Sequence, residues 1–380
     1  MILPPLKIQR KFFIKTLMCV LFRLLSNHAD GSRRMSLVDL APELLLHIFQ
    51  CLSSVRDVVS LSLTSRRFYN LFTRSPLRTT LLFEAAEREF SPLEDVFQLL
   101  TLNNTQAIYT KRDPSLSLSF LMQVIAVGRV AERFVALYPR WRWGDAASEH
   151  RRTLDREEAH RLRRAIYRFW LYTQASHHKI HPRTLRFNAF AVEERCRLLR
   201  TWTTDELVEL EDLRLTLEQL LASELCPADG KVQARWGRDG RVVHLLEGEK
   251  SHYSGRTGGN DVRDLFHSAR DGPLSQTADV PVPELRARHM TGWGSDIENW
   301  YIVQAMLLLS PQEILWLYDH AVTKDDVERY VRDQLGDHCF MESGSTLFHD
   351  WVLVIHSRGV DVDNVREGIW NGIRGIVVDK

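Results

Sequence analysis

A mainly α-helical chain is predicted on three observations. Apolar residues recur at helical spacing through most of the sequence. Several of those stretches open on a Ser or Thr followed three residues later by Glu, the pattern of a reciprocal N-terminal cap. Strand-like alternation is scarce, with one plausible short strand from Arg241 to Leu246. At 44% hydrophobic and 26% charged, the composition is that of an ordinary globular protein, and 380 residues leave room for about two or three domains.

The first helical set lies between Leu37 and Phe72, with helices predicted from Pro42 to Leu52, Asp57 to Leu63 and Ser65 to Phe72. Leu44, Leu45, Ile48, Phe49 and Leu52 form one wide apolar face. Pro42 suits the first turn, where its missing N–H costs nothing, and Glu43 sits where the helix dipole favours an anion. Helices this short carry more apolar side chains than they can bury against one another. The surplus calls for a partner.

Further along, Ser91-Pro92-Leu93-Glu94 predicts an N-cap, a proline at the first helical position and a Glu at N3, opening a helix to about Leu102. Phe120 to Leu137 and Ala159 to Thr173 read as two amphipathic helices. The box Thr203-Thr204-Asp205-Glu206 precedes a helix in which Leu207, Leu210, Leu213, Leu217, Leu220 and Leu221 form a stripe. Ser310-Pro311-Gln312-Glu313 opens another, and Thr323 caps the segment that Gly336 stops. These stripes read as inward faces of a helical core. None keeps a heptad long enough for a coiled coil, and no repeat period is present. Residues 227–297 concentrate glycine, together with Pro227, Pro273, Pro281 and Pro283, and read as a Gly/Pro-rich surface loop or insertion, helical signals resuming at Asp296. This stretch either separates two helical domains or crosses one. The divisions that follow are 1–34, an N-terminal extension; 35–80, the three-helix module; 81–226, a helical domain; 227–297, the insertion; and 298–380, a helical region packing with 81–226.

Several constellations carry little chemistry. A net charge of +1 gives no global attraction to nucleic acid or to anionic membranes. Cys19, Cys51, Cys196, Cys226 and Cys339 are scattered, which suits free thiols in a reducing compartment, cytoplasmic or nuclear. His177, His178 and His181 lack a carboxylate or thiol at ligand spacing and precede Pro182, so they read as a solvated turn. The arginines between Arg151 and Arg168 read as a charged outer surface over a core helix. Arg140-Trp141-Arg142-Trp143 is too short to carry nucleic-acid binding. Gly255, Gly258 and Gly259 lack the strand, helix and lysine of a phosphate loop. No catalytic residue, cofactor or metal is expected. Trp293, Trp300, Trp316, Tyr301 and Tyr318 are either large core side chains or a recognition surface, and exposure separates the two. Residues 1–34 carry Lys7, Arg10, Lys11, Lys15 and Arg23 with no acid before Asp30, around an apolar run too short and too charged to span a bilayer. They read as a targeting or membrane-surface segment, or as an addition ahead of a start at Met35.

The stretch around Leu37–Phe72 resembles the F-box, on Leu40, Pro42, Glu43, Leu44, Leu45, Ile48, Phe49, Leu52, Asp57, Leu61, Leu63, Arg66 and Phe68. Ala41 stands where the family prefers proline, the connection from Leu52 to Asp57 is one residue longer than the family's commonest spacing, and Ser65 and Phe68 replace the frequent cysteine and tryptophan. The segments AIYRFWLYTQ, RTWTTDELVELEDL and SDIENWYIVQAMLLLSPQEILWLYDHA are also similar to those of F-box proteins abundant in filamentous fungi. The resemblance implies that these thirteen residues bind a Skp-type adaptor, and through it the cullin and RING subunits of an SCF ubiquitin ligase. The rest of the chain is then a non-catalytic receptor for a protein substrate. An adaptor-bound scaffold outside a cullin ligase, an enzyme using the glycine-rich insertion, and a membrane-surface protein held by residues 7–25 are the other readings.

Overall fold

The computed structural model describes residues 37, 40–74, 77–102, 107–143, 152–177, 187–236, 281–288, 290–335 and 345–378. Sixteen α-helices and no strand occur among them, so the chain is mainly α. The strand expected at Arg241 to Leu246, the glycines Gly255, Gly258 and Gly259, His178, His181, Gly336 and the extension 1–34 all lie outside the described residues. Two compact units are present, Met1–Glu89 and Phe90–Lys380.

The first unit holds α1 (Pro42–Cys51), α2 (Val55–Leu63), α3 (Arg66–Phe72) and α4 (Leu77–Phe90), of which the last residue falls in the second unit. The three predicted helices are found, with one shift. α2 starts at Val55 and not at Asp57, because the Ser54 hydroxyl accepts the Asp57 N–H at 3.0 Å and caps the helix earlier. Ser65, the departure from the frequent cysteine, caps α3 in the same way by accepting the Phe68 N–H at 3.2 Å. α4 has no counterpart among the predicted helices. It ties down the connection between α1 and α2: Arg88 Nε donates to the Leu52 carbonyl at 2.7 Å, and the Glu89 carboxylate accepts the Val55 N–H at 2.8 Å.

The second unit runs through α5 (Leu93–Leu100), α6 (Leu118–Arg142), α7 (Arg156–His177), α8 (Ala189–Arg200), α9 (Thr204–Leu220), α10 (Asp229–Trp236), α11 (Val282–Arg288), α12 (Asp296–Met306), α13 (Pro311–His320), α14 (Lys324–Leu335), α15 (Leu347–Ser357) and α16 (Val362–Trp370). α9 lies at its centre, packed against α6, α7, α15 and α16, and passes into a π-helical turn at Leu221–Leu225. The predicted box is formed: Thr203 N–H donates to Glu206 at 2.7 Å and Glu206 N–H to the Thr203 hydroxyl at 3.3 Å. The leucine stripe is buried, but so are Glu209, Glu211, Asp212 and Arg214 on the other side. Those charges are bearable because they are paired, Arg164 with Glu209 at 2.5 Å and Arg214 with Glu211 at 2.7 Å.

The same pairing corrects the reading of Arg151–Arg168 as an outer surface. α7 packs on α5, α6, α8 and α9, which leaves little of its circumference for water. Arg161 donates to the Ile376 carbonyl, Arg163 to the Ser91 carbonyl and to Glu132, and Arg168 to Asp95 and Glu206. Burial acts to raise the Glu206 carboxyl, but hydrogen bonds from Arg168 and from the Thr203 N–H outweigh it and hold the group at about 2. The cap expected at Ser91 is also corrected. Pro92 itself is the N-cap of α5, extended at φ −90° and ψ 123°, with no side-chain acceptor.

The loop expected across 227–297 is helical near both ends, at α10 and α11. Pro283 lies in the first turn of α11, where it is tolerated, and Arg286 donates to the carbonyls of Leu317, Tyr318 and Ala321 at the C-terminal end of α13. The chain also returns to where it left. Trp293 N–H donates to the Pro227 carbonyl and Asp229 N–H to the Gly294 carbonyl, both at 2.9 Å. Downstream, the boxes at Ser295 and Ser310 open α12 and α13, and Thr323 exchanges hydrogen bonds with Asp326 at the start of α14.

The segment after α16 is held against α9. Asp212, fully buried, accepts the Ile376 N–H at 2.8 Å and the Tyr138 hydroxyl at 3.3 Å, with Arg142 at 3.8 Å. Gly375 has φ +108°, and a Cβ there would lie 2.5 Å from an Asp212 carboxylate oxygen. Gly375→Ala is therefore expected to cost about 2–3 kcal/mol, combining backbone strain with displacement of a buried carboxylate. Gly359→Ala, at φ +70° with open space around it, is the comparison and should cost about 1 kcal/mol. Thermal melts of the two variants check this. Equal shifts would show that the approach of Gly375 to Asp212 carries no energy.

Candidate docking surface

The first unit divides its apolar residues into a closed interior and a surface remainder. Leu45, Phe49, Val58, Phe68, Leu71 and Phe72 are buried. The Phe49 ring stacks on Phe72 at 5.9 Å and meets Phe68 edge-to-face at 6.2 Å, so α1 and α3 share one aromatic contact. Arg67 donates to the Leu40 carbonyl at 2.7 Å and ties the start of α1 to α3.

The thirteen residues singled out in the sequence are thus split. Leu45, Phe49 and Phe68 are interior and hold the helices to one another. Leu40, Leu44, Ile48, Leu52 and Leu61 are half-buried, while Pro42, Glu43, Asp57, Leu63 and Arg66 are exposed. Leu44 and Ile48 lie one turn apart on α1. Asp57 lies in the first turn of α2, where the helix dipole favours it. Three further exposed apolar side chains belong to this unit and were missed, namely Leu37, Val59 and Tyr69, with Leu63 the most exposed of all at 69%. Val59 had a signal, since it lies four residues before Leu63 on the same helix. Nothing in the sequence separated exposed Tyr69 from its buried neighbour Phe68.

Elsewhere the candidates divide between core and surface. Trp141 is buried, and Arg142 of the Arg-Trp-Arg-Trp run donates to the Ile369 carbonyl at 2.6 Å. His177 is the last residue of α7. Cys51, Cys196 and Cys226 are free, and burial pushes the Cys196 thiol up to about 11, which makes it a poor nucleophile at neutral pH. No group of three His, Cys, Asp or Glu suited to a metal occurs among the described residues, and none of their helices is long and apolar enough to cross a membrane. Of the C-terminal aromatics, Trp293 and Tyr318 are core, whereas Trp300, Tyr301 and Trp316 are at the surface.

A small helical module with a closed aromatic core and unspent apolar side chains on its surface has the makings of a protein-docking domain. Residues 39–84 match the F-box-like family, so the chain carries an F-box domain there. No curated protein and no solved structure matches the chain.

Proposed function

We propose that this chain binds a Skp-type adaptor through its F-box and serves as the substrate receptor of an SCF cullin–RING ubiquitin ligase. The observation that carries this reading is the F-box-like match over a module that leaves Leu44, Ile48, Val59 and Leu63 partly or largely open to solvent. In this reading Leu40, Pro42, Glu43, Leu44, Ile48, Leu52, Asp57, Leu61, Leu63 and Arg66 face the adaptor, and Leu45, Phe49 and Phe68 keep that face in shape. The second unit holds a protein target. Catalysis belongs to the recruited ubiquitin-conjugating enzyme, and this chain contributes proximity, which turns a bimolecular encounter into an effectively intramolecular one. The complex works in the cytoplasm or nucleus.

The test is co-expression of the full chain with the adaptor and cullin, followed by size-exclusion chromatography. A ternary complex is expected, and Leu44→Ala with Ile48→Ala should lose it while the chain stays folded. Each truncation removes roughly 1.5–3 kcal/mol of transfer energy, so the pair should weaken adaptor binding by at least about 100-fold. Adaptor without cullin would assign a scaffold role outside the ligase. Absence of adaptor would overturn the proposal.

A further inference from the structure

One face of α12 has no role in the docking module and no place in the core. Ile297 is 73%, Trp300 52% and Tyr301 43% exposed, and at i, i+3 and i+4 they lie together. The opposite face, with Asn299, Ile302, Val303 and Met306, is buried, and Asn299 donates to the Cys226 carbonyl, so the helix is held in one orientation. The two exposed rings meet edge-to-face with centroids 5.0 Å apart.

The first turn of the same helix is acidic, while the nearby Lys324 is turned onto the Gly292 carbonyl and the Trp293 ring. Asp296 lies one turn before Trp300, and Glu298 lies in the same turn with its carboxylate folded back onto Ser295, so both exposed acids stand at the N-terminal end of the helix that carries the rings. Neither acid is ion-paired among the described residues. Hydrogen bonds from the Ser295 N–H and hydroxyl hold the Glu298 carboxyl below the usual carboxylate range, so it stays ionised at neutral pH. Aromatic faces carry a negative quadrupole and attract cations, and the carboxylates of the first turn add to that field. Aromatic side chains are also favoured anchors in protein interfaces.

We propose that this face binds a basic segment of a partner polypeptide, with a Lys or Arg side chain against the Trp300 and Tyr301 rings, other cations of the segment towards the acidic first turn of the helix, and an apolar neighbour on Ile297. It rests on the ligase reading only in taking that partner to be the substrate. The probes are two labelled peptides of equal length, one alternating Lys and Arg with Leu, the other alternating Glu and Asp with Leu. They are titrated against the full chain by fluorescence anisotropy.

The basic peptide is expected to bind at least about tenfold more tightly than the acidic one, and less tightly as salt is raised. Trp300→Ala with Tyr301→Ala should weaken it by about tenfold. Asp296→Asn with Glu298→Gln should remove the preference for the basic peptide at only a small cost in melting temperature, because Gln at N3 still completes a capping box although the favourable charge at the helix N-terminus is lost. Equal affinity for both peptides, or unchanged affinity in the ring variant, would overturn the proposal. So would a dimer by light scattering that Trp300→Ala dissociates, since that assigns the face to a second copy of the chain. The titration needs no adaptor, and an adaptor pull-down on the same preparations reports on the ligase reading separately.

Discussion

Asp350→Ala is expected to destabilise the second unit by about 3–5 kcal/mol, the range for removing one partner of a buried ion pair. Asp350 is fully buried on α15. It accepts from both Nε and Nη2 of Arg195 on α8 and from the Tyr172 hydroxyl of α7 at 2.6 Å, while that hydroxyl also lies 2.8 Å from the Thr346 hydroxyl. One carboxylate therefore fastens three helices. Burial, and next the Asp350 charge, push the Tyr172 phenol well above its ordinary range, so it remains a neutral donor. Without the carboxylate, the Arg195 guanidinium, 4% exposed, loses the acceptor of its Nε and Nη2 groups inside the core. Replacing both partners by apolar residues, Asp350→Leu with Arg195→Met, should cost much less than the single change, because desolvation of the pair is relieved together with its attraction. Urea denaturation of the single and double variants measures the difference. A loss below about 1 kcal/mol for Asp350→Ala would mean that these helices are held by apolar packing alone.

That network marks the limit of what the sequence discloses. Capping is local, and the boxes at Thr203 and Ser310 and the cap at Thr323 were legible because donor and acceptor lie three residues apart. Ser295 with Glu298 is equally legible in form, although only a return of helical signal at Asp296 is read there from the sequence. Ser91-Pro92-Leu93-Glu94 has the same form as the Ser310 box and forms no cap, because the helix starts one residue later with Pro92 at the N-cap position, while the Ser91 carbonyl accepts from Arg163, 72 residues away. Charge on a helix reads as a solvent face unless its counter-charge is known. Arg168 finds Asp95 across 73 residues and Arg195 finds Asp350 across 155, distances at which no periodicity operates. In the F-box the apolar spacing located the helices, and the surplus predicted a partner. It did not separate Leu44, half-buried, from its neighbour Leu45, 2% exposed, because adjacent residues on a wide apolar face follow the same pattern.

Phe49→Ala provides the test of that separation. The ring is fully buried between Phe68 and Phe72, and its loss should cost about 3–5 kcal/mol, a large share of what a small helical module has to lose. The expected result is loss of the module's cooperative melt and of adaptor binding together. Leu63→Ala acts on the other side of the division. At 69% exposure its side chain contributes little to the free module, so stability should change by under about 0.5 kcal/mol while adaptor affinity falls by roughly tenfold. Circular dichroism melts paired with calorimetric titration of the adaptor resolve both variants. If Phe49→Ala melted as the parent does and lost only the adaptor, Phe49 would be a contact residue. If Leu63→Ala bound the adaptor unchanged, the interface would lie on the Leu44 and Ile48 edge of α1, away from the end of α2. A surface that binds and an interior that shapes it fail in different ways, and these two substitutions tell them apart.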